Sequence, residues 1–278
     1  MIKKYQNNSN MSNYTPTILT IAGSDNYGGA GIEIDTKTIH ALGGYAFSAT
    51  TALTAQNSTG VKSVLATPKE MFEQLLDSIL SDIEVDAVKI GMLINADIID
   101  SVVKAINRYR LKNIVLDTVL VSSSGKNLLE PKAIDLMVEE LFPVVDLITP
   151  NRLEVERIVG QRESIEEMAE AFFELGANSV LIKGGHSSER EATDYLVQKP
   201  LEIDSFSTAR LSTTHTHGTG CLLSSAIATY LAQKESLVNS VKLSKEFLYK
   251  NMRESHFLKL KYNKILNSRR EPILLTQC

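Results

Sequence analysis

Hydrophobic residues along the chain occur in short runs rich in Ile, Val and Leu, separated by longer stretches with helical spacing. This alternation is typical of strand-helix units built around a largely parallel sheet. Several runs are apolar at nearly every position, as in strands that helices cover on both faces. The predicted strands are 17–22, 45–55, 86–92, 113–119, 145–150 and 179–185, and the segments 191–197 and 201–207 predict a shorter antiparallel addition.

Apolar residues recur between the strands at spacings of three or four, which indicates amphipathic helices whose stripes we expect to form core. The stripes are Met71, Leu75 and Ile79; Ile98, Val102 and Ala105; Ala133, Leu136 and Met137; and Ile165, Met168 and Phe172. Helix starts are predicted at Pro68, Asn95 and Ser164, and C-terminal caps at Gly43 and Gly176.

The pattern predicts one compact α/β domain over residues 15–255, because no linker-like segment and no internal repeat interrupts it. Residues 1–14 are polar and aperiodic, so we expect a flexible N-terminal tail. Residues 256–278 form a C-terminal extension to which the sequence assigns no role.

Bulk composition excludes several classes of protein. The 278 residues carry 29 Lys and Arg against 33 Asp and Glu, a formal charge of -4, so no basic field favours nucleic acid. No apolar run has the length of a membrane span or of a signal-peptide core, so we expect a cytoplasmic protein without a membrane partner. The two cysteines, Cys221 and Cys278, lack the spacing of a disulfide scaffold or a zinc cluster.

A glycine-rich turn runs directly into an apolar helix at THTHGTGCLLSSAIATYL, residues 214–231. Gly218 and Gly220 allow the backbone to approach a phosphate, and the helix dipole adds positive charge at the same point. A tight turn without a ligand is an equally open interpretation. Since the chain has no GxxxxGK[ST] segment, nucleotide binding here does not use a Walker loop.

Cys221 follows this turn in the first turn of the predicted helix. A thiol in that position is expected to have a lowered pKa, and its thiolate would act as a base toward a substrate hydroxyl. A small buried residue that happens to contain sulfur is the alternative.

A second glycine-rich junction, AGSDNYGGAGIEID at residues 22–35, follows the first predicted strand without forming GxGxxG. Asp35 lies on the apolar face of the next helix, where its charge requires either a ligand or a structural partner, and we favour the ligand.

Polar residues also stand at the ends of later strands. Asp117, Asn151 and Glu154 are candidates for holding Mg²⁺ through waters, with helix capping as the alternative and the better single-residue interpretation of Asn151. Lys183 is a candidate phosphate ligand, with a solvated lysine as the alternative.

Several segments together resemble the hydroxymethylpyrimidine and phosphomethylpyrimidine kinase family of thiamine biosynthesis, within the ribokinase-like superfamily. The resemblance covers residues 15–250 and is carried by AGSDNYGGAGIEID, TALTAQNSTGV, DAVKIGML, LDTVLVSSSG, LITPNRLEVE, VLIKGGH and THGTGC. It implies a three-layer α/β sandwich with a central, mostly parallel sheet, ATP and Mg²⁺ at the carboxyl edge, and a homodimer.

The resemblance also assigns site residues. It implies a pyrimidine pocket lined by Gly23, Asp35, Gln56, Met92 and Val119. The nucleotide and phosphate site would comprise Asp117, Asn151, Glu154, Lys183, Thr216 and Thr219, with Asp117 and Glu154 toward the metal. Gly218, Gly220 and Cys221 would be catalytic. The chain has Asp117-Thr118-Val119 where the family usually has Asp-Pro-Val, and Cys221 stands where most ribokinase-like sugar kinases have aspartate.

The implied reaction is ATP-dependent phosphorylation of 4-amino-5-hydroxymethyl-2-methylpyrimidine and then of its monophosphate. Pyridoxal or pyridoxine kinase is the alternative enzyme, since it acts on another hydroxymethyl-bearing heteroaromatic ring. An alternative of another class is a non-catalytic protein that binds the ring.

Overall fold

The structure is a computed structural model of the 278-residue chain. It describes residues 14–57, 60–122, 125, 127–184, 190–212, 216–257 and 272–273.

Nine strands form a single sheet in the order β3-β2-β1-β4-β5-β6-β7-β8-β9. Strands β1, β2 and β4 to β7 are parallel, while β3 pairs antiparallel with β2 and the β8–β9 hairpin continues antiparallel from β7. The bounds are β1 Thr17–Asp25, β2 Tyr45–Asn57, β3 Gly60–Ala66, β4 Ala87–Ile90, β5 Ile114–Leu116, β6 Leu147–Ile148, β7 Ser179–Ile182, β8 Glu191–Gln198 and β9 Glu202–Ala209. A separate antiparallel pair joins β10 His256–Phe257 to β11 Pro272–Ile273.

Helices cover both faces of the sheet. The bounds are α1 Gly31–Ala41, α2 Lys69–Leu80, α3 Ala96–Tyr109, α4 Pro131–Leu136, α5 Arg152–Val159, α6 Ile165–Glu174, α7 Thr219–Ala232 and α8 Leu237–Arg253. A π-helical turn, Met137–Leu141, and a 3-10 turn, Phe142–Val144, follow α4.

The core divides into two layers that follow the alternation of side chains along each strand. Leu19 and Ile21 of β1 pack with α2, α3, α4 and α6, whereas Ile18 packs on the other face with α1, α7 and α8. In β4, Val88 packs in the layer of Leu19 and Ile21, and Ala87 packs in the layer of Ile18. The predicted three-layer α/β sandwich is therefore confirmed.

The predicted strands all occur, each within or close to its expected segment, and the antiparallel addition is the β8–β9 hairpin. The prediction omitted β3, an edge strand with several half-exposed positions. Apolar and polar residues do not alternate regularly along this segment, so its sequence does not predict a strand. Its backbone pairs with the neighbouring strand β2, and this pairing makes it a strand.

The apolar stripe of α2 was predicted one residue out of phase. Phe72, Leu76 and Leu80 are the buried residues, whereas Met71 is 49% exposed. In MFEQLLDSIL, both Met71, Leu75 and Ile79 and Phe72, Leu76 and Leu80 have helical spacing. The packing of the Phe72 ring in the core selects the second set.

The predicted helix ends are confirmed. The side chains of Asn95 and Ser164 accept hydrogen bonds from backbone amides at the starts of α3 and α6. Pro68 is the N-cap of α2, and Gly43 and Gly176 follow α1 and α6 with positive φ.

Within the described residues, no helix combines the length and apolarity needed to cross a bilayer. The expected N-terminal tail lies almost wholly outside these residues, and only β10 and β11 represent the C-terminal extension. The domain bounds of 15–255 remain a prediction.

The phase of α2 can be tested by stability. Phe72→Ala should lower the free energy of unfolding by about 3–5 kcal/mol, because it leaves a cavity in the core. The matched change Met71→Ala, on the exposed side of the same helix, should change it by no more than about 0.5 kcal/mol. Urea unfolding followed by circular dichroism measures both, and equal losses would contradict the assignment.

Candidate active site

Two cavities lie beyond the carboxyl ends of the parallel strands, where ligands bind in open α/β sheets. The inner cavity, about 190 Å³, is lined by the ends of β1 and β2 and by the loops after β4 and β5. The outer cavity, about 610 Å³, lies between the loop after β5, α5, the β8–β9 hairpin, α7 and α8. The two cavities share a wall that includes Asn151, Glu154, Lys183, Thr216 and Gly220.

Four of the five residues predicted for the ring pocket line the inner cavity: Gly23, Gln56, Met92 and Val119. A Cβ on Gly23 would lie 2.3 Å from the terminal methyl of Met92, so this glycine makes room for the methionine side chain. The backbone amide of Gln56 donates to Asn26, which joins the end of β2 to the loop after β1.

Asp35, the fifth residue, does not line this cavity. Its carboxylate is fully buried and forms an ion pair with Lys89, at 2.9 and 2.7 Å from Nζ to the two oxygens. The hydroxyl groups of Thr20 and Ser225 donate to the same carboxylate. The expected ligand role is therefore wrong, and the alternative of a structural partner holds, because Lys89 in β4 supplies the compensating charge.

The glycine turn before α7 has the geometry of an anion-binding site. Gly218 has φ of 76°, and a Cβ there would lie 1.8 Å from the carbonyl oxygen of Gly29, so only glycine allows this packing of the two turns. Thr216 closes the turn by accepting from the Thr219 hydroxyl at 2.8 Å. In the described part of the chain, no acceptor faces the backbone amides of Gly218, Gly220 or Cys221. These donors are available to an anion.

Cys221 follows the turn and lines the inner cavity, but its thiol differs from the prediction. Burial raises the pKa of Cys221 to about 11, and the opposing effect of the Lys89 charge is smaller. The expected thiolate near neutral pH is therefore wrong. Desolvation of the sulfur outweighs the helix position on which the prediction depended.

Lys183 and Asp117 form a largely buried ion pair at the shared wall, 2.7 Å from Nζ to Oδ1. Burial alone would lower the pKa of Lys183, but the charges of Asp117 and Glu154 raise it above its ordinary value. The ammonium therefore stays charged at neutral pH. A Cβ on Gly220 would lie 3.2 Å from Asp117 and 3.5 Å from Nζ of Lys183, so the glycine turn and the pair adjoin each other.

Asn151 and Glu154 form a reciprocal capping box at the start of α5. The side chain of Asn151 accepts from the Glu154 amide, and the Glu154 carboxylate accepts from the amide of Asn151 and the hydroxyl of Thr118. The capping interpretation of Asn151 is confirmed. Among the described residues, no group of three potential metal ligands occurs.

Asp25 and His217 were not among the predicted site residues, although both lie in segments that the sequence singled out. The Asp25 carboxylate accepts from the amides of Tyr27, Gly29 and Ala30 and lies 3.2 Å from Nε2 of His217. Burial alone would raise the pKa of Asp25, but the bonds to His217 and to the amides of Tyr27 and Gly29 hold it below its ordinary value. This contact ties the turn after β1 to the turn before α7.

Asp194 and Lys245 in the outer cavity were also missed. Their side chains form an ion pair at 2.7 Å, and Asp194 accepts from the Gly184 amide, immediately after Lys183. Nothing in the local sequence pairs β8 with α8, which face each other only in the folded chain.

A solved kinase has the same architecture. The pyridoxal kinase of Bacillus subtilis, solved as an ADP complex, is 32% identical, with a TM-score of 0.81 over 88% of this chain and 95% of that one. The fold and the site at its carboxyl edge therefore define a kinase of the ribokinase-like class.

Sequence comparison defines the family. The profile described as phosphomethylpyrimidine kinase matches residues 25–266. The hydroxymethylpyrimidine/phosphomethylpyrimidine kinase of Escherichia coli K12 is 40% identical over 235 residues, 83% of this chain and 88% of that protein. The thiamine biosynthesis bifunctional protein ThiED of Geobacter sulfurreducens is 42% identical over 84% of this chain, which spans 48% of that longer protein. The chain belongs to the phosphomethylpyrimidine kinase family.

The state of the Cys221 thiol can be tested by alkylation in a Cys278→Ser background. With a pKa of about 11, the rate of reaction with iodoacetamide should rise roughly tenfold per pH unit between pH 7 and 10, without a plateau. Mass spectrometry of timed samples measures the rate, and circular dichroism checks folding at each pH. A plateau within this range, by about pH 9.5 for an ordinary thiol and at lower pH for an activated one, would contradict the raised pKa.

Proposed function

We propose that this chain transfers the γ-phosphoryl group of ATP to the hydroxymethyl group of 4-amino-5-hydroxymethyl-2-methylpyrimidine, and then phosphorylates the resulting monophosphate. One observation carries the proposal: a turn whose backbone amides have no acceptor among the described residues lies between two adjacent cavities at the carboxyl edge of the sheet. Donors in that position suit a phosphoryl group that passes from a ligand in one cavity to a ligand in the other.

The cavity sizes suggest which ligand each accepts. The outer cavity, about 610 Å³, has the volume of a typical site for a molecule of nucleotide size, whereas the inner cavity, about 190 Å³, suits one substituted ring. Gln56 is the proposed hydrogen-bonding partner of the pyrimidine nitrogen or amino group. Gly23, Met92 and Val119 are the proposed apolar contacts of the ring.

Charge stabilisation follows from the shared wall. In phosphoryl transfer the alcohol oxygen bonds to the γ-phosphorus while the bond to the ADP oxygen breaks, and negative charge spreads over the equatorial oxygens. The amides of Gly218, Gly220 and Cys221 donate to those oxygens in this proposal, and the ammonium of Lys183 adds a point charge. Thr216 and Thr219 hold the turn in place.

The metal fits this wall only through intervening water. Glu154 already accepts from three protein donors and Asp117 already pairs with Lys183, so neither carboxylate is free for a full protein-built coordination shell. Mg²⁺ commonly retains waters and takes its remaining ligands from substrate phosphates. We propose that Asp117 and Glu154 orient such waters, and that the ion neutralises phosphate charge when it is bound.

The alcohol proton requires an acceptor other than a resting thiolate, since burial keeps Cys221 protonated at neutral pH. A loose transition state needs little base strength before the new bond forms. Asp117, a carboxylate that lines the inner cavity, is the proposed acceptor as the phosphoryl group arrives.

The ring specificity can be tested with a panel of substrates. With ATP and Mg²⁺, kcat/KM should be highest for hydroxymethylpyrimidine and its monophosphate, because identity to the Escherichia coli pyrimidine kinase exceeds that to the pyridoxal kinase. Pyridoxal and pyridoxine complete the panel, and release of ADP is the readout. Higher kcat/KM for pyridoxal would establish the alternative enzyme, and ring binding without ADP release would establish a binding protein.

Lys183→Met tests the charge at the shared wall. Loss of the ammonium should lower kcat by roughly 10²–10³-fold, because it removes a fixed positive charge beside the transferred group. The matched control Lys132→Met replaces an exposed lysine on α4 and should leave kcat within about twofold. Steady-state kinetics at saturating ATP measure both, and a normal kcat for Lys183→Met would reject the assigned role.

The homodimer and the cytoplasmic location also stand as proposals. Leu53 and Leu65 are directly paired across β2 and β3 and are 56% and 69% exposed, which supports burial of this surface against a second copy. Light scattering of the purified chain measures the mass in solution.

A further inference from the structure

The ion pair between Asp35 and Lys89 lies in the protein interior, and both side chains are completely buried. Four donor contacts converge on the Asp35 carboxylate: two from Lys89 in β4, one from Thr20 in β1 and one from Ser225 in α7. Asp35 itself belongs to α1, so four elements meet at one carboxylate.

The pair is a poor source of net stability. Removing two charges from water is unfavourable, and the Coulomb attraction commonly does little more than offset this cost. A network that satisfies its donors and acceptors instead fixes relative positions, because any shift leaves a buried charge with a missing partner.

The chain around Lys89 accommodates its ammonium group. A Cβ on Gly91 would lie 2.8 Å from Nζ of Lys89 and 3.2 Å from Cβ of Ala22, so glycine at this position leaves the space that the group occupies. Met92, the next residue, lines the inner cavity. The network therefore adjoins residues that line the inner cavity.

Ser225 connects the Asp35–Lys89 network to the glycine turn before α7. It stands four residues after Cys221, one helical turn along the same face of α7. Its hydroxyl donates to Asp35 at 2.7 Å, and the Lys89 charge is close enough to influence the Cys221 thiol. The start of α7 is therefore held by the glycine turn that precedes it and by the hydrogen bond from Ser225 to Asp35.

We propose that Asp35, charged and fixed by Lys89, is a positioning residue that holds the start of α7 through Ser225 and thereby aims the unpaired amides at the shared wall. It makes no contact with the substrate. This inference rests on the proposed function only for its kinetic consequence, since the position of the amides can be measured separately.

Two matched variants test the inference. Ser225→Ala and Thr20→Val each remove one hydroxyl that donates to the same carboxylate, but only the first lies on α7. Ser225→Ala should lower kcat about tenfold, with KM for ATP and for the pyrimidine within about twofold, because the misplaced donors act on the transferred group. Thr20→Val should keep kcat within about twofold.

A spectroscopic readout separates positioning from general destabilisation. The chain has 15 glycines, so a spectrum labelled at glycine ¹⁵N contains few enough amide signals to assign. The signals of Gly218 and Gly220 should shift in Ser225→Ala and stay unchanged in Thr20→Val, while thermal unfolding places both variants within a few degrees of each other.

The outcomes are distinct. Normal kcat and unshifted glycine signals in Ser225→Ala would overturn the inference, as would equal effects of the two variants on both readouts. If the unmodified protein phosphorylates none of the tested rings, the proposed function fails, and the glycine signals still decide whether Asp35 positions the turn.

Discussion

Within the part of the chain that the structure describes, the backbone amides of Gly218, Gly220 and Cys221 have no acceptor, and the proposed site depends on this constraint. These residues are half-buried and line the inner cavity, so their amides do not carry the cost of about 1–3 kcal/mol that a fully buried donor without a partner carries. Gly218 packs against the carbonyl of Gly29, and the Leu222 amide bonds to the carbonyl of Gly218. The amides are thus oriented without a ligand, as the proposed binding of a phosphoryl group without reorganisation of the chain requires.

Three lysines around the two cavities are each paired with an aspartate in the protein interior. Lys183 with Asp117, Lys89 with Asp35 and Lys245 with Asp194 each bring a lysine of one element to an aspartate of another, at 2.7 Å. Burial would by itself lower the pKa of Lys89 and of Lys183, yet the neighbouring carboxylates raise both. Lys183, which lines both cavities, therefore stays charged at neutral pH, and its pairing with Asp117 avoids an isolated ion in the protein interior.

Contacts between residues far apart in sequence assemble the site. Asp117 and Lys183 are 66 residues apart, and Asp25 and His217 are 192 apart. The parallel sheet brings them together because its strands end at one edge, so each loop beyond a strand adds residues to the same region. This explains why the predicted residues Gly23, Gln56, Met92, Val119 and Lys183 all line cavities, although they come from five separate segments.

The sequence by itself determined the layered α/β fold, the positions of its main strands along the chain, the glycine turn before α7 and the capping role of Asn151. These features depend on local spacing and on residue type, which a pattern records directly. Tertiary structure alone decided the partner of Asp35, the phase of α2, the pairing of β3 and the protonation of Cys221. Each of these depends on contacts between residues far apart in sequence or on how much water is excluded. Lys89 forms the ion pair with Asp35, and Phe72 is the residue of α2 that packs in the core. Burial raises the pKa of the Cys221 thiol.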